Sequence, residues 1–531
     1  MANQVGQTMK ALNTESSLGL ELISSLRRNF FHLVLIDYGL PKVVRVRRGT
    51  LLVLALELSK ELRVYTTDKR VGVVLPPGIG GVLTNVALFL ANKIPVNLNF
   101  TLGSENVRYS MEKAGITTVI SAQALKKKLP DFPWKEDFFD ISEWVNGQRK
   151  NKSYLIWRHI FIFFCPLHFL FSKSAKSCKS QEEAALLFTS GSSGNPKGVP
   201  LSHRNLLSNC DQINRLGLFA PQTRMLANLP LFHSFGFTVS TLYPLLFDLL
   251  MVCVPSPLDV KLSLHVLEKE RVKVLLGTPT FLRGYLRKAE RKQVSNLGYI
   301  IAGAEKTPKG FKEKWEALSP CNYLEGYGLT EASPAVSFNV PEQNSVKKSV
   351  GRLLPQIECK VRCPDLLTDL ANGQTGLLCF RGPNIFAGYL DEPDTNQAVL
   401  DADGWFQTGD LGRVNQAGYL FIEGRLSRFS KIGGEMVPHG KIEDEITTSL
   451  GIGQLEQAQC VIIGATDPVK GEKLVLFTEV EIDAQSLRKK LIASGLPNIW
   501  IPKESILIEK IPTLASGKVD FQMLRELASQ R

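Results

Sequence analysis

Residues 186–205 read LLFTSGSSGNPKGVPLSHRN. An apolar run leads into Thr189, Ser190, Ser192 and Ser193, interleaved with Gly191 and Gly194. Pro196, Lys197 and Gly198 follow, and a second apolar run resumes. Hydroxyls supply hydrogen-bond donors, glycines let backbone N–H groups turn toward an anion, and Lys197 adds a fixed positive charge. Such a loop suits a polyphosphate. It is not the usual nucleotide P-loop, because the lysine does not close a G-x-x-x-x-G-K-[ST] pattern between a strand and a helix. A flexible Gly/Ser linker has no reason to place Pro-Lys-Gly between two apolar runs.

Around this loop the chain reads as alternating strands and helices. Val71–Leu75 is a β-branched run stopped by Pro76-Pro77-Gly78, and GIGGVLTNVALFLANK then has helical apolar spacing. The runs 272–277, 297–303 and 358–362 also read as strands. This alternation predicts a layered α/β architecture with largely parallel sheets. Between about 345 and 424 short apolar bursts are separated by Gly and Asn-Gln-Ala-Gly turns, the texture of a small antiparallel β unit. A large N-terminal domain, residues 1–424, and a small mobile α+β C-terminal domain, residues 425–531, are expected, with a hinge at 426–428.

The chain has 531 residues and a formal net charge of +12. From Arg425 onward 14 basic residues balance 14 acidic ones, so the whole excess precedes it. A basic surface attracts acidic proteins, anionic lipid or nucleic acid. Nine cysteines are scattered without a C-x-x-C pair, which indicates neither a zinc site nor a disulfide framework. The first thirty residues lack the pattern of a signal peptide, and a cytoplasmic protein is expected. Residues 154–171, YLIWRHIFIFFCPLHFLF, are aromatic and apolar but interrupted by Arg158, His159, Pro166 and His168, too short a run to span a bilayer. Lys150, Lys152, Lys173, Lys176 and Lys179 flank them. Two readings stay open: contact with the inner face of a membrane, or a buried helix or tunnel wall.

TSGSSGNPKG resembles the signature loop of the adenylate-forming enzymes, which include acyl-CoA synthetases, luciferases and peptide-synthetase adenylation domains. NLPLFHSFGF (228–237), AGAE (302–305), YLEGYGLTEAS (323–333), TGD (408–410), GRLSRFSKIGGEMV (424–437) and IPTLASGKVD (511–520) occur in the family's order and spacing. The resemblance implies that a carboxylate attacks the α-phosphate of ATP, that pyrophosphate leaves, and that a thiol then displaces AMP. It also implies roles. Thr189, Ser190, Gly191, Ser192, Ser193, Gly194 and Lys197 would hold the β- and γ-phosphates. Glu331 would hold Mg²⁺, and Thr330 would touch the α-phosphate. Tyr327 and Gly328 would lie against adenine, with Gly303, Ala304 and Glu305 on its other side. Asp410 and Arg425 would meet the ribose. His233 would gate the acyl pocket, and Lys518 would bridge carboxylate and α-phosphate until the small domain rotates and brings the Lys431–Glu435 region into place. The family usually reads Gly-Arg-x-Lys-Asp/Glu at the hinge; here Gly424-Arg425-Leu426-Ser427-Arg428 stands instead, which leaves the pivot and its polar anchor open.

The aromatic LFHSFGF set suits a long hydrocarbon tail better than an amino acid. Residues 93–122 resemble the acyl-acyl-carrier-protein synthetase part of the bacterial 2-acylglycerophosphoethanolamine acyltransferase/acyl-ACP synthetase fusion. Its implied partners are a fatty acid and acyl carrier protein, whose acidity would complement the basic large domain, and no nucleic acid. A long-chain acyl-CoA ligase is the alternative within the class, and a non-catalytic, membrane-associated acyl or nucleotide binder is the alternative outside it. The fusion's acyltransferase uses a His-x4-Asp dyad; His32 and Asp37 copy that spacing, but too little chain precedes them for such a domain, and Asp37 is expected to end an opening strand.

Overall fold

The computed structural model describes residues 11–135, 138–170, 178–189, 195–341, 346–433, 435–450, 460–467, 471–512 and 519–529. Short β-branched runs buried on both faces form the centre of two largely parallel sheets, as expected of strands covered by crossover helices. Among the described residues the larger sheet has nine strands. Its order runs Arg352–Leu353, Ala335–Phe338, Asn322–Gly328, Tyr299–Ala302, Val274–Gly277, Arg224–Ala227, Leu250–Cys253, Leu33–Asp37 and Val44–Arg47. The six central strands from Asn322–Gly328 to Leu33–Asp37 run parallel, and the outer strands are antiparallel. The second sheet has six strands and ends in the antiparallel pair Glu183–Thr189 and Lys197–Ser202.

The helix Ile79–Leu90 (IGGVLTNVALFL) is apolar all round and buried from Gly81 to Leu90, the signature of a helix enclosed between layers. Asp37 ends its strand at the head of that helix, accepting from Ile79 N at 2.8 Å and Gly39 N at 2.7 Å. His32 instead pairs with Asp248 at 2.8 Å. The two residues of the dyad-like spacing thus serve different partners.

The antiparallel unit is a four-stranded meander: Glu358–Arg362, Gly376–Arg381, Phe406–Val414 and Leu420–Arg425. Two details differ from the sequence reading. Arg352–Leu353 joins the nine-stranded sheet rather than this meander, and the meander's last strand runs through Arg425. A turn of 3₁₀-helix, Leu426–Arg428, follows. Beyond it, five strands and the helices His439–Leu450, Ala484–Ala493 and Phe521–Ser529 enclose their own apolar clusters, one around Ile442, Ile462 and Leu476 and one around Val461, Phe477 and Leu524.

The aromatic stretch forms the helix Lys152–Phe164 and a short turn, Leu167–Leu170. It lies on the surface, with Ile156 62%, Trp157 56% and Phe164 75% exposed. The buried-helix reading is therefore corrected. No helix among the described residues is long and apolar enough to cross a membrane.

Candidate functional site

In open parallel sheets the carboxyl ends of the strands form the natural crevice, because connecting loops there diverge to opposite faces. Tyr299–Ala302 pairs with Asn322–Glu325, so Gly303 emerges beside Gly326. A side chain at 303 would stand 3.6 Å from Gly326 O and 3.7 Å from the Phe235 ring. Ala304 has a φ of 67°, and Glu305 turns back to accept from Thr280 N at 3.1 Å and Thr280 Oγ1 at 2.7 Å. Gly328 is a glycine by close approach, since a Cβ there would lie 2.2 Å from Pro334 O.

Tyr327 reaches from this edge to the meander and donates its hydroxyl to Asp410 Oδ2 at 2.5 Å. Arg425, opposite Asp410 in strand register, donates to Asp410 Oδ1 at 2.9 Å. Burial, and then the Asp410 charge, push the Tyr327 phenol well above its ordinary range, so it stays a donor. The same carboxylate is the largest cause raising the Arg425 guanidinium.

A second group gathers at the hairpin. Thr189 and Lys197 face each other across the paired strands, and Thr189 Oγ1 lies 3.5 Å from Lys197 O. Lys197 Nζ stands 5.2 Å from the centre of the Tyr389 ring. Tyr389 donates its hydroxyl to Glu331 Oε1 at 2.6 Å, with its own acidity suppressed by burial and by the Glu331 charge. Thr330, beside Glu331 in a 3₁₀ turn, meets Ser234 Oγ at 3.2 Å. His233 precedes Ser234, half-buried, its ring 4.8 Å from that of Phe232. The expected residues therefore converge in two linked groups. Ser190, Gly191, Ser192, Ser193, Gly194 and Lys518 lie outside the described residues, as do Lys173 and Lys176.

The His233 segment opens an unusual element. Phe235–Leu242 is wound as a π-helix, a form concentrated at functional sites. Gly236, its second residue, sits where a Cβ would come within 2.2 Å of Pro230 O. Apolar rings back it: Phe232 is 5.2 Å from Phe100, and Phe237 is 6.3 Å from Phe89.

Tyr389, Ser234 and Thr280 were not anticipated from the sequence. A signal for Tyr389 existed, an aromatic with a hydroxyl following Gly388 in a loop, yet its partner stands 58 residues away. A cavity of about 450 Å³ lined by Arg108, Met111, Glu112 and Trp134 shares none of these residues.

The family model for AMP-binding enzymes matches residues 54–390, the span that supplies both groups apart from Asp410 and Arg425. The chain belongs to the AMP-binding enzyme family. This AMP-binding enzyme is 25% identical over 508 residues to a long-chain-fatty-acid–CoA ligase of Bacillus subtilis, covering 89% of this chain and 88% of that one. It is 28% identical over 351 residues to the human mitochondrial medium-chain acyl-CoA ligase, covering 64% and 56%. The chain spans 56% of the length of the first curated relatives it matches. Its fold matches ATP-bound MatB from Rhodopseudomonas palustris with a TM-score of 0.77 at 22% identity, over 96% of this chain and 98% of that one. It also matches the o-succinylbenzoate CoA synthetase of Bacillus subtilis in complex with ATP and magnesium, with a TM-score of 0.77 at 20% identity over 95% and 98%. At these identities the likeness is one of fold.

Proposed function

We propose that this AMP-binding enzyme joins a fatty acid to AMP and passes the acyl group to the phosphopantetheine thiol of acyl carrier protein. The carrying observation is the convergence of Lys197, Tyr389, Glu331 and Thr330 beside the Tyr327–Asp410–Arg425 group. Lys197 rests on an aromatic face, and among the described residues no carboxylate pairs with it, so its charge is available to an anion. Glu331 has one oxygen committed to Tyr389, which leaves the other for a hard cation. Each Asp410 oxygen keeps a second lone pair for a sugar hydroxyl. A glycine at 303 keeps a side chain off the place beside Gly326 and the Phe235 ring where a flat base would lie. These features fit ATP and Mg²⁺.

In the first step a carboxylate oxygen forms a bond to the α-phosphorus and pyrophosphate leaves. Negative charge gathers there, and positioned cations and N–H donors dominate its stabilisation. A divalent cation at Glu331 would neutralise phosphate oxygens. Lys197 with Thr189 would orient the outer phosphates, Thr330 the α-phosphate, and Lys518 would span carboxylate and phosphate. In the second step a thiolate sulfur bonds to the acyl carbon and AMP leaves. His233, against the Phe232 and Phe100 rings, would stand where the tail enters. We place the boundary between the large part and the small mobile part after residue 424, with the hinge at 426–428, the 3₁₀ turn.

Carrier protein is favoured by the resemblance of residues 93–122 and by the positive excess before Arg425. The names of the relatives favour the second reading, a long-chain acyl-CoA ligase. A long-chain acid partitions into bilayers, so a peripheral position on a membrane fits either. Purified protein with fatty acid and Mg-ATP is expected to exchange pyrophosphate into ATP; no exchange would leave only a binder. Thioester on carrier protein is expected, and thioester on CoA alone would give the role to the second reading.

A further inference from the structure

The helix Lys152–Phe164 buries Ile162 and packs Leu155 on the core, yet turns a second apolar face outward. A surface helix of a globular protein normally lays its apolar stripe on the core and turns its polar residues to water. Here Arg158 points inward and meets Glu57 Oε1 at 2.6 Å, and Tyr154 donates to Glu57 Oε2 at 3.0 Å. His159 also faces the neighbouring helix Arg48–Tyr65, with Nε2 3.3 Å from Thr50 Oγ1. The outward positions, spaced three and four apart, are Ile156, Trp157, Ile160, Phe161 and Phe164. Phe169 (69% exposed) and Phe31 (63%) extend the patch, with Phe31 5.3 Å from the ring of Phe163. Water gains nothing from this arrangement. Each outward side chain forgoes part of the stabilisation that burial gives, and soluble surfaces rarely gather such residues into one patch.

Cations rim the patch. Arg27 donates to Phe163 O at 2.9 Å, which fixes its guanidinium at the helix end. Arg28 follows it, Arg47 lies beside the strand that Phe31 leads into, and Lys150 precedes the helix; all three are exposed, and among the described residues none of them is ion-paired. Tryptophan and phenylalanine framed by Arg and Lys match a boundary where hydrocarbon lies beneath anionic headgroups.

We propose that this face seats the protein on an anionic lipid bilayer, with the outward side chains in the acyl boundary and Arg28, Arg47 and Lys150 at phosphate depth. Its geometry does not depend on the reaction assigned above. The helix Arg48–Tyr65 lies between it and the apolar helix Ile79–Leu90, whose Phe89 faces Phe237 of the π-helix. A bilayer-borne acid would therefore be taken up on the apolar side of the site.

The test is flotation of the full chain with vesicles of phosphatidylglycerol and phosphatidylcholine, compared with phosphatidylcholine alone. Binding to the anionic vesicles is expected, weakened by 0.5 M salt and reduced at least tenfold in Ile156→Glu/Phe164→Glu. Brominated lipid is expected to quench tryptophan emission in the wild type, and Trp157→Phe to remove that quenching. The melting temperature of the double variant and its pyrophosphate exchange with a short soluble acid should match the wild type, which separates this surface from the chemistry. Absence of vesicle binding, equal binding by the double variant, or quenching unaffected by Trp157→Phe would overturn the proposal. So would a wild-type dimer that the double variant dissolves while neither binds lipid, since a second copy would then be the occupant.

Discussion

Single side chains divide the site into groups that bind and groups that hold the binders. Glu331 would lie free to rotate were it not for Tyr389, whose ring also supports Lys197. One phenol thus positions a carboxylate and a cation of opposite duty. A hydrogen bond to a charged group contributes about 1.5–3 kcal/mol, so Tyr389→Phe is expected to slow pyrophosphate exchange roughly 10–100-fold and to raise the magnesium concentration needed for half-maximal rate. The ring persists, so the thermal midpoint should hold; an unchanged magnesium profile would show that Tyr389 does not act through Glu331. Glu331, Asp410 and Lys197 were legible in the sequence because each sits in a short contiguous motif. Tyr389 was not, because its value depends on a loop that returns from a different part of the fold.

Elements were legible where local pattern and tertiary role agree. The strands at 272–277 and 297–303 and the hairpin around Lys197 follow from β-branched runs and turn residues. The π-helix was hidden: FGFTVSTL carries no local mark of wide winding, and only the approach of Pro230 O to Gly236 reveals why a glycine is its second residue. The direction of the aromatic helix was hidden for the same reason. Arg158 and His159 turn inward toward Glu57 and Thr50, about a hundred residues earlier, and spacing alone cannot say which side of a helix finds partners. Two glycines make a comparison possible. Gly236→Ala forces a backbone clash and is expected to lower stability by about 1–3 kcal/mol or more, read as a fall in the urea midpoint. Gly303→Ala meets only ordinary contacts at 3.6 Å, so stability should hold while the KM for ATP rises. Equal loss of stability in both would mean that the close approach at Gly236 is not real.

Across the whole molecule, the proposed division of two half-reactions over one site turns on the junction after Arg425. Arg428 belongs to the C-terminal part: it bonds Glu443 Oε1 at 2.5 Å and Ile462 O at 2.6 Å and lies 4.2 Å from the Phe521 ring. Arg525 in turn donates to Ser427 O at 3.2 Å. The unfamiliar arginine is thereby an anchor at the end of the 3₁₀ turn, and the pivot of the proposed hinge falls to Leu426 and Ser427 before it. Two exposed ion pairs among the described residues, Lys306–Asp444 and Lys431–Asp365, link the C-terminal part to the rest, and Phe429 packs against the cluster of Leu377, Cys379, Trp405 and Leu411. Such pairs contribute about 0–1 kcal/mol each, so the proposed rotation would have chiefly the Phe429 contact to break.

The anchor also carries a pH signature. His439 lies beside Arg428, 3.5 Å from Nδ1 to Nη1, and 2.8 Å from Ser430 Oγ through Nε2. Arginine cannot accept, so Nδ1 carries the lone pair and Nε2–H donates to Ser430. Burial, then the Arg428 charge, depress His439 to about 3. An unfolded histidine titrates near ~6.5. Above that pH both states are neutral and the full contribution is present; as pH falls toward 3, the unfolded chain takes up a proton that the fold refuses, and stability declines. Thermal unfolding followed from pH 7 to 4 should show this decline, flattened in His439→Gln; an identical slope in the variant would remove His439 as its source.

Rotation makes the sharpest demand on the chemistry. If Lys518 serves only while acid and α-phosphate are being joined, a variant lacking its charge should fail in that step alone. Lys518→Ala is expected to lose pyrophosphate exchange by at least a hundredfold, while thioester formation from supplied acyl-adenylate stays within severalfold of the wild type. Division of labour between two conformations would account for that asymmetry, because the proposed thiol-transfer arrangement carries this lysine away from the nucleotide. Loss of both half-reactions to the same degree would place Lys518 at the site throughout and leave the thinly held junction without a catalytic purpose.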